Sequence, residues 1–155
     1  MWEDNEIMKW AGLTIFILIT LIYIWNGKDL YTKEEWRGFG IKFISVLIGA
    51  FVLVIVLVGF SKFIPLLTRE TARSLSVIIP ASFMAVLLSK FFVVMLNNIF
   101  DIIMRFHKRY NTAANYTKLL SLSGKYGAKL RLVVKCLASL GCILMFYGIW
   151  FGSTV

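Results

Sequence analysis

Apolar residues gather in four long runs, at about residues 7–25, 41–60, 77–100 and 132–151. Each is long enough, at ~1.5 Å per residue, to cross a hydrocarbon core of ~30 Å as an α-helix. Trp10 and Trp25 bracket the first run, where indole rings favour the headgroup boundary, and Asn26-Gly27 breaks it. The connection that follows carries Thr32-Lys33-Glu34-Glu35, the spacing of a capping box, and predicts a short interfacial helix bearing Trp36. Gly38 and Gly40 weaken that helix before the second run, which is almost free of polar atoms and stops before Pro65. Ser74 or Ser76 can cap the third helix, with Pro80 in its first turns. The apolar pattern there continues past Asn97-Asn98 to Met104, longer than a bilayer needs, so this helix is expected to project beyond the membrane. The fold class expected is therefore an all-α integral membrane protein of four transmembrane helices forming one domain, with polar connections at about 26–40 and 101–131.

The polar positions then orient the chain. Residues 101–131 gather Arg105, Lys108, Arg109, Lys118, Lys125, Lys129 and Arg131 against the single acid Asp101, and such a segment predicts a basic cytoplasmic loop between helices 3 and 4. Placing the first connection on the same side adds Lys28, Lys33, Arg37 and Lys42, with Lys135 also inside, and leaves only Lys9, Lys62, Arg69 and Arg73 opposite. Both termini then lie outside the cytoplasm, and the acidic start, with Glu3, Asp4 and Glu6, lacks the basic n-region of a signal peptide. Composition agrees: 59% of residues are hydrophobic and 16% charged, against roughly 45–50% and about 25% in soluble domains. The net charge of +9 reads as this topology and as attraction to anionic headgroups rather than as a nucleic-acid surface. Tyr110, Tyr116 and Leu119 among the lysines suit an amphipathic helix on the cytoplasmic leaflet, or a face docked on a larger membrane assembly.

Few residues could carry chemistry. Lys90 is the single ionisable residue well inside a run, and Asn97 and Asp101 share its helix face at spacings of seven and eleven. Two readings are open: a polar face turned into the bundle, or a lysine that snorkels its ammonium to the headgroups, which the reach of the side chain favours. Ala138, Gly141, Gly148 and Gly152 line one face of the last run and would let a helix approach closely, within one subunit or between copies. Cys136 and Cys142 are six apart, on different faces, and read as small packing residues. His107 stands alone in a basic run, so neither a metal set nor a catalytic triad is expected, and no cofactor. No acid lies in the core of any run, which argues against proton-coupled transport. The four-helix small multidrug exporters share the span number but depend on a Glu in the first span, where this chain has Thr14, Thr20 and Tyr23.

In size, basic charge and number of spans the chain is similar to two classes of small bacterial inner-membrane protein: immunity proteins against pore-forming colicins and the exclusion proteins of conjugative plasmids. That similarity implies action without catalysis, by binding another integral membrane protein and blocking its insertion, opening or assembly. Two alternatives stand beside it. One is a homo-oligomeric, holin-like pore along the glycine face with Lys90 in its lumen. The other is an accessory subunit of a secretion or transport complex.

Overall fold

A computed structural model describes the backbone of residues 2–60, 69–110 and 113–152, and the side chains of residues 6–60, 70–110 and 127–152. It consists of four helices: α1 (Trp2–Asn26), α2 (Lys33–Phe60), α3 (Arg69–Tyr110) and α4 (Ala113–Phe151). Each contains a stretch long and apolar enough to cross a membrane, as a multi-pass membrane protein requires. Lys62 and Pro65, which enter the expected topology, lie outside the described residues.

Helix α3 is the hub. It packs against α1, α2 and α4, whereas among the described residues α2 makes no close backbone approach to α1 or α4. The inner face of α1 is set by helical spacing: Leu13, Thr20 and Ile24 are buried, with Phe16 and Ile17 packed beside them. Leu13 meets Ile78, Ala85 and Val86 of α3 and Cys142, Phe146 and Trp150 of α4. One end of this core is closed by aromatics, with the Trp10 and Phe151 rings 4.7 Å apart. Ser82 accepts a hydrogen bond from the Trp150 indole N–H at 3.1 Å, which removes the one polar atom that ring would otherwise bury unpaired. By contrast α2 buries only Phe39, which lies against Phe91 of α3 within a cluster that also holds Tyr31 and Trp36.

Several expectations are corrected. The Thr32 box forms as its spacing predicts: Thr32 N–H donates to Glu35 Oε2 at 2.8 Å and Glu35 N–H to Thr32 Oγ1 at 3.3 Å. It starts α2 itself, however, and no separate interfacial helix exists, because the helix runs unbroken through Gly38 and Gly40. Lys28 hydrogen-bonds Glu35 at 2.5 Å, and that carboxylate holds its pKa above the usual lysine value. Helix α3 begins at Arg69, so Ser74 and Ser76 cap nothing; Ser76 Oγ donates to the Arg73 carbonyl at 2.7 Å. Pro80 consequently lies inside α3, where it withholds one backbone donor without ending the helix. The largest change concerns residues 101–131, which are not a loop: α3 runs to Tyr110 and α4 starts at Ala113. Arginine, lysine and leucine are good helix formers, and charge determines where a helix can lie rather than whether it forms.

Two glycines divide by their surroundings. A Cβ at Gly12 would stand 2.2 Å from the Trp150 ring, whereas one at Gly38 would meet nothing within 4 Å. Gly12→Ala should therefore lower the unfolding temperature in detergent by displacing Trp150 from Ser82. Gly38→Ala should stabilise the fold by the ~0.5–1 kcal/mol that glycine costs inside a helix, and raise the unfolding temperature accordingly. Equal shifts in circular-dichroism melts of the two variants would contradict this packing.

Candidate functional site

A helix leaves its last carbonyls without intrahelical donors. At the end of α1 those carbonyls face α3 and α4 instead of solvent, and a lysine from each helix meets them. Lys90, fully buried, brings its Nζ to 3.4 Å from the Ile24 carbonyl, and Lys135 brings its own to 3.5 Å from that of Trp25. Both distances are long for hydrogen bonds, so the contacts are chiefly of cation with carbonyl dipole, which a helix C-terminus favours. Each ammonium also lies 5.9 Å from an aromatic ring of α1, Lys90 over Tyr23 and Lys135 over Trp25. The Trp25 indole donates in turn to Ser139 Oγ at 3.3 Å.

One carboxylate offsets one of the two cations. Asp29, just past α1, has its Oδ1 2.9 Å from Lys135 Nζ, a charge pair rather than a well-angled hydrogen bond. Gly27 makes the arrangement possible. A Cβ there would lie 2.8 Å from Lys90 Nζ and 2.9 Å from its Cε, so any side chain would push the lysine off the carbonyl.

The predicted polar face divides. Lys90 and Asn97 are both buried, on the side of α3 turned into the bundle, so Lys90 does not snorkel. Its ammonium is held by the end of α1, which lies within its reach. Among the described residues the Nδ2 atoms of Asn97 and Asn98 have no hydrogen-bond partner. Asp101 leaves this face: half exposed, it pairs with Arg105 one turn on, at 2.7 Å. Ser82 and Ser89 continue the buried polar line in the other direction, and Ser89 Oγ donates to the Ala85 carbonyl at 2.8 Å.

The small residues of α4 divide too. Ala138 is buried with Ile24, Val93 and Val134, and Gly152 closes the helix by donating its N–H to the Gly148 carbonyl at 2.8 Å. Neither Gly141 nor Gly148 is needed for a close approach by a described neighbour, since a Cβ at either would meet nothing within 4 Å. Of the two free cysteines, Cys142 is buried in the core and Cys136 is exposed. Among the basic residues, Arg105, Lys108, Arg109, Lys129 and Arg131 are exposed, while the side chains of Lys118 and Lys125 lie outside the described residues. Among the described residues no three of His, Cys, Asp and Glu come together as a metal set.

Sequence reasoning did not bring Gly27, Asp29 and Lys135 together with Lys90, and it passed over an apolar stripe on α3. Ile99, Ile102, Ile103, Phe106 and Tyr110 are all exposed. Their helical spacing was the available signal, masked by the basic residues between them. No family model, curated protein or solved structure matches this chain.

Lys90→Met keeps the aliphatic stem and removes the charge from the end of α1. It should destabilise the fold by ~1–3 kcal/mol, the range for a buried carbonyl left unpaired. Gly27→Ala should do the same by displacement. Amine acetylation followed by mass mapping should modify the exposed Lys33 well before Lys90; equal rates would show that Lys90 does not hold α1.

Proposed function

We propose that this chain is a multi-pass protein of the bacterial inner membrane that acts without catalysis by binding another integral membrane protein. The mode would be that of the immunity and conjugative exclusion proteins it is similar to in size, charge and span number. Both termini lie outside the cytoplasm in this reading, with the basic ends of α3 and α4 inside it.

Helix length supports the reading. With 25 residues, α1 measures ~37 Å and suffices for a hydrocarbon core of ~30 Å, whereas the 42 residues of α3 reach ~63 Å. Lys90 meets the last turn of α1, so the helical turns after it, Phe91 to Tyr110, extend ~30 Å past the end of that span.

The observation that carries the proposal is the stripe on this extension. Ile102 and Phe106 are 58% and 59% exposed, in line with Ile99, Ile103 and Tyr110 and flanked by Arg105, Lys108 and Arg109. In lipid such a face would need no partner. Beyond the membrane it faces water, and covering each large apolar side chain is worth about 1.5–3 kcal/mol. A face of this composition suits a partner that offers apolar side chains between acidic ones, such as the cytoplasmic part of a larger membrane protein.

A homo-oligomer is the second reading, favoured by the open space at Gly141 and Gly148 and by the exposed Leu137, Leu140 and Leu144 beside them. In such an assembly Lys90 stays inside each copy, against Ile24, and a lumen lined by it would require the bundle to open. An accessory subunit of a transport complex differs from the first reading only in what the partner does.

A photoreactive residue at Ile102, in the native host membrane, should capture one larger integral membrane protein. Phe106→Glu should abolish that capture while leaving helicity and melting temperature unchanged. Capture of this chain alone, or solute movement across liposomes by the purified protein alone, would overturn the proposal.

A further inference from the structure

Helices α1 and α2 make no close backbone approach among the described residues, and the space between them is a groove of about 530 Å³ whose floor is α3. Its volume lies within the ~300–1,000 Å³ usual for ligand sites. Along one part the walls are purely hydrocarbon: Ile19 and Ile22 from α1, Val86 and Leu87 from α3. The rest of the lining is Tyr23, Asn26 and Gly27 around the end of α1 and Lys42 of α2. The groove is therefore amphiphilic: mostly hydrocarbon, with Asn26 around the end of α1 and one cation, Lys42, in its lining.

Lys42 differs from the other lysines at this level. Lys28 is held by Glu35, Lys90 by the Ile24 carbonyl, and Lys135 by Asp29 and the Trp25 carbonyl. Lys42 makes no hydrogen bond and no ion pair with any described residue. It is the one charged side chain lining the groove, and no carboxylate lines it. An ammonium with three donors at the mouth of a hydrocarbon trough calls for an anion that carries its own hydrocarbon.

We propose that this groove is a binding site for an anionic phospholipid, with the headgroup phosphate on the Lys42 ammonium and one acyl chain lying between Ile22 of α1 and Val86 of α3. The inference rests on the reading of the chain as membrane-spanning, but not on the identity or existence of a protein partner. It also explains why α2 can stand apart from α1: the lipid fills the space between them, and α2 is held to the bundle at Phe39 and through the lipid.

The test is native mass spectrometry of the full chain, released from detergent after equilibration with equal amounts of phosphatidylglycerol and phosphatidylcholine. The protein should retain one phosphatidylglycerol in preference. Lys42→Ala should lower that preference about five-fold, the effect expected of one lysine at an anionic surface. Lys33→Ala, which removes an exposed charge from the same helix outside the groove, should leave it intact. Ile22→Trp fills the trough and should release the lipid with Lys42 still present, so the proposal does not hang on one variant. Equal retention of both lipids by the unaltered protein, an unchanged preference in Lys42→Ala, or equal losses in Lys42→Ala and Lys33→Ala would each overturn it. Alkaline carbonate extraction of membranes separates the two levels of failure. Release of the chain refutes the membrane reading and the site together; retention without lipid preference refutes the site alone.

Discussion

The end of α1 is the constraint on which the bundle depends. Backbone carbonyls at a helix end that faces other helices must find donors there. Here the donors are two lysines, one from each of the helices α1 packs against. A long aliphatic stem lets each side chain pass through hydrocarbon and deliver a cation where the helix dipole is negative. The contact fixes more than a charge. Because Lys90 and Lys135 both reach the same helix end, the axial positions of α3 and α4 relative to α1 are set together. Gly27 and Asp29 complete the arrangement, the first by offering no side chain and the second by offsetting one of the two positive charges.

From that level the two long helices lead different lives on either side. Toward Ala72, α3 is packed against its neighbours and carries serines that satisfy Trp150 and its own backbone. Past Lys90 its inner face still buries Val93, Val94 and Asn97, while its outer face carries Ile99, Ile102, Phe106 and Tyr110 among arginines. One apolar periodicity thus has two uses. The inner stripe makes the fold, and the outer one is free for something else. Helix α2, held mainly at Phe39 and Phe91, adds the grooves beside it rather than a share of the core.

Much of the architecture was legible because it is local. Four apolar runs predict four helices, Asn26-Gly27 marks the end of α1, and the Thr32 and Glu35 spacing predicts reciprocal hydrogen bonds that form within four residues. The basic segment misled for an equally physical reason. Arginine and lysine were read as loop because they cannot sit in lipid, yet they are as compatible with helix as leucine, and no proline follows Pro80 to interrupt it. The glycines of α4 show the limit of pattern alone: Gly141 and Gly148 share a face, but which helix lies beside that face is not written in the spacing.

What the sequence determined by itself, then, is the number of helices, their apolar character and the charge asymmetry between their ends, since each depends on residues close together in the chain. Only the tertiary structure decided the rest. Whether Lys90 reaches for headgroups or for the Ile24 carbonyl, whether Asn97 faces inward, and why Gly27 must be small all depend on where the end of α1 comes to lie. That end stands 66 residues from Lys90 and 110 from Lys135 along the chain. Hydrophobic periodicity tells which side of a helix is buried; it carries no record of how far one helix slides along another, and that sliding is what brings a carbonyl to an ammonium.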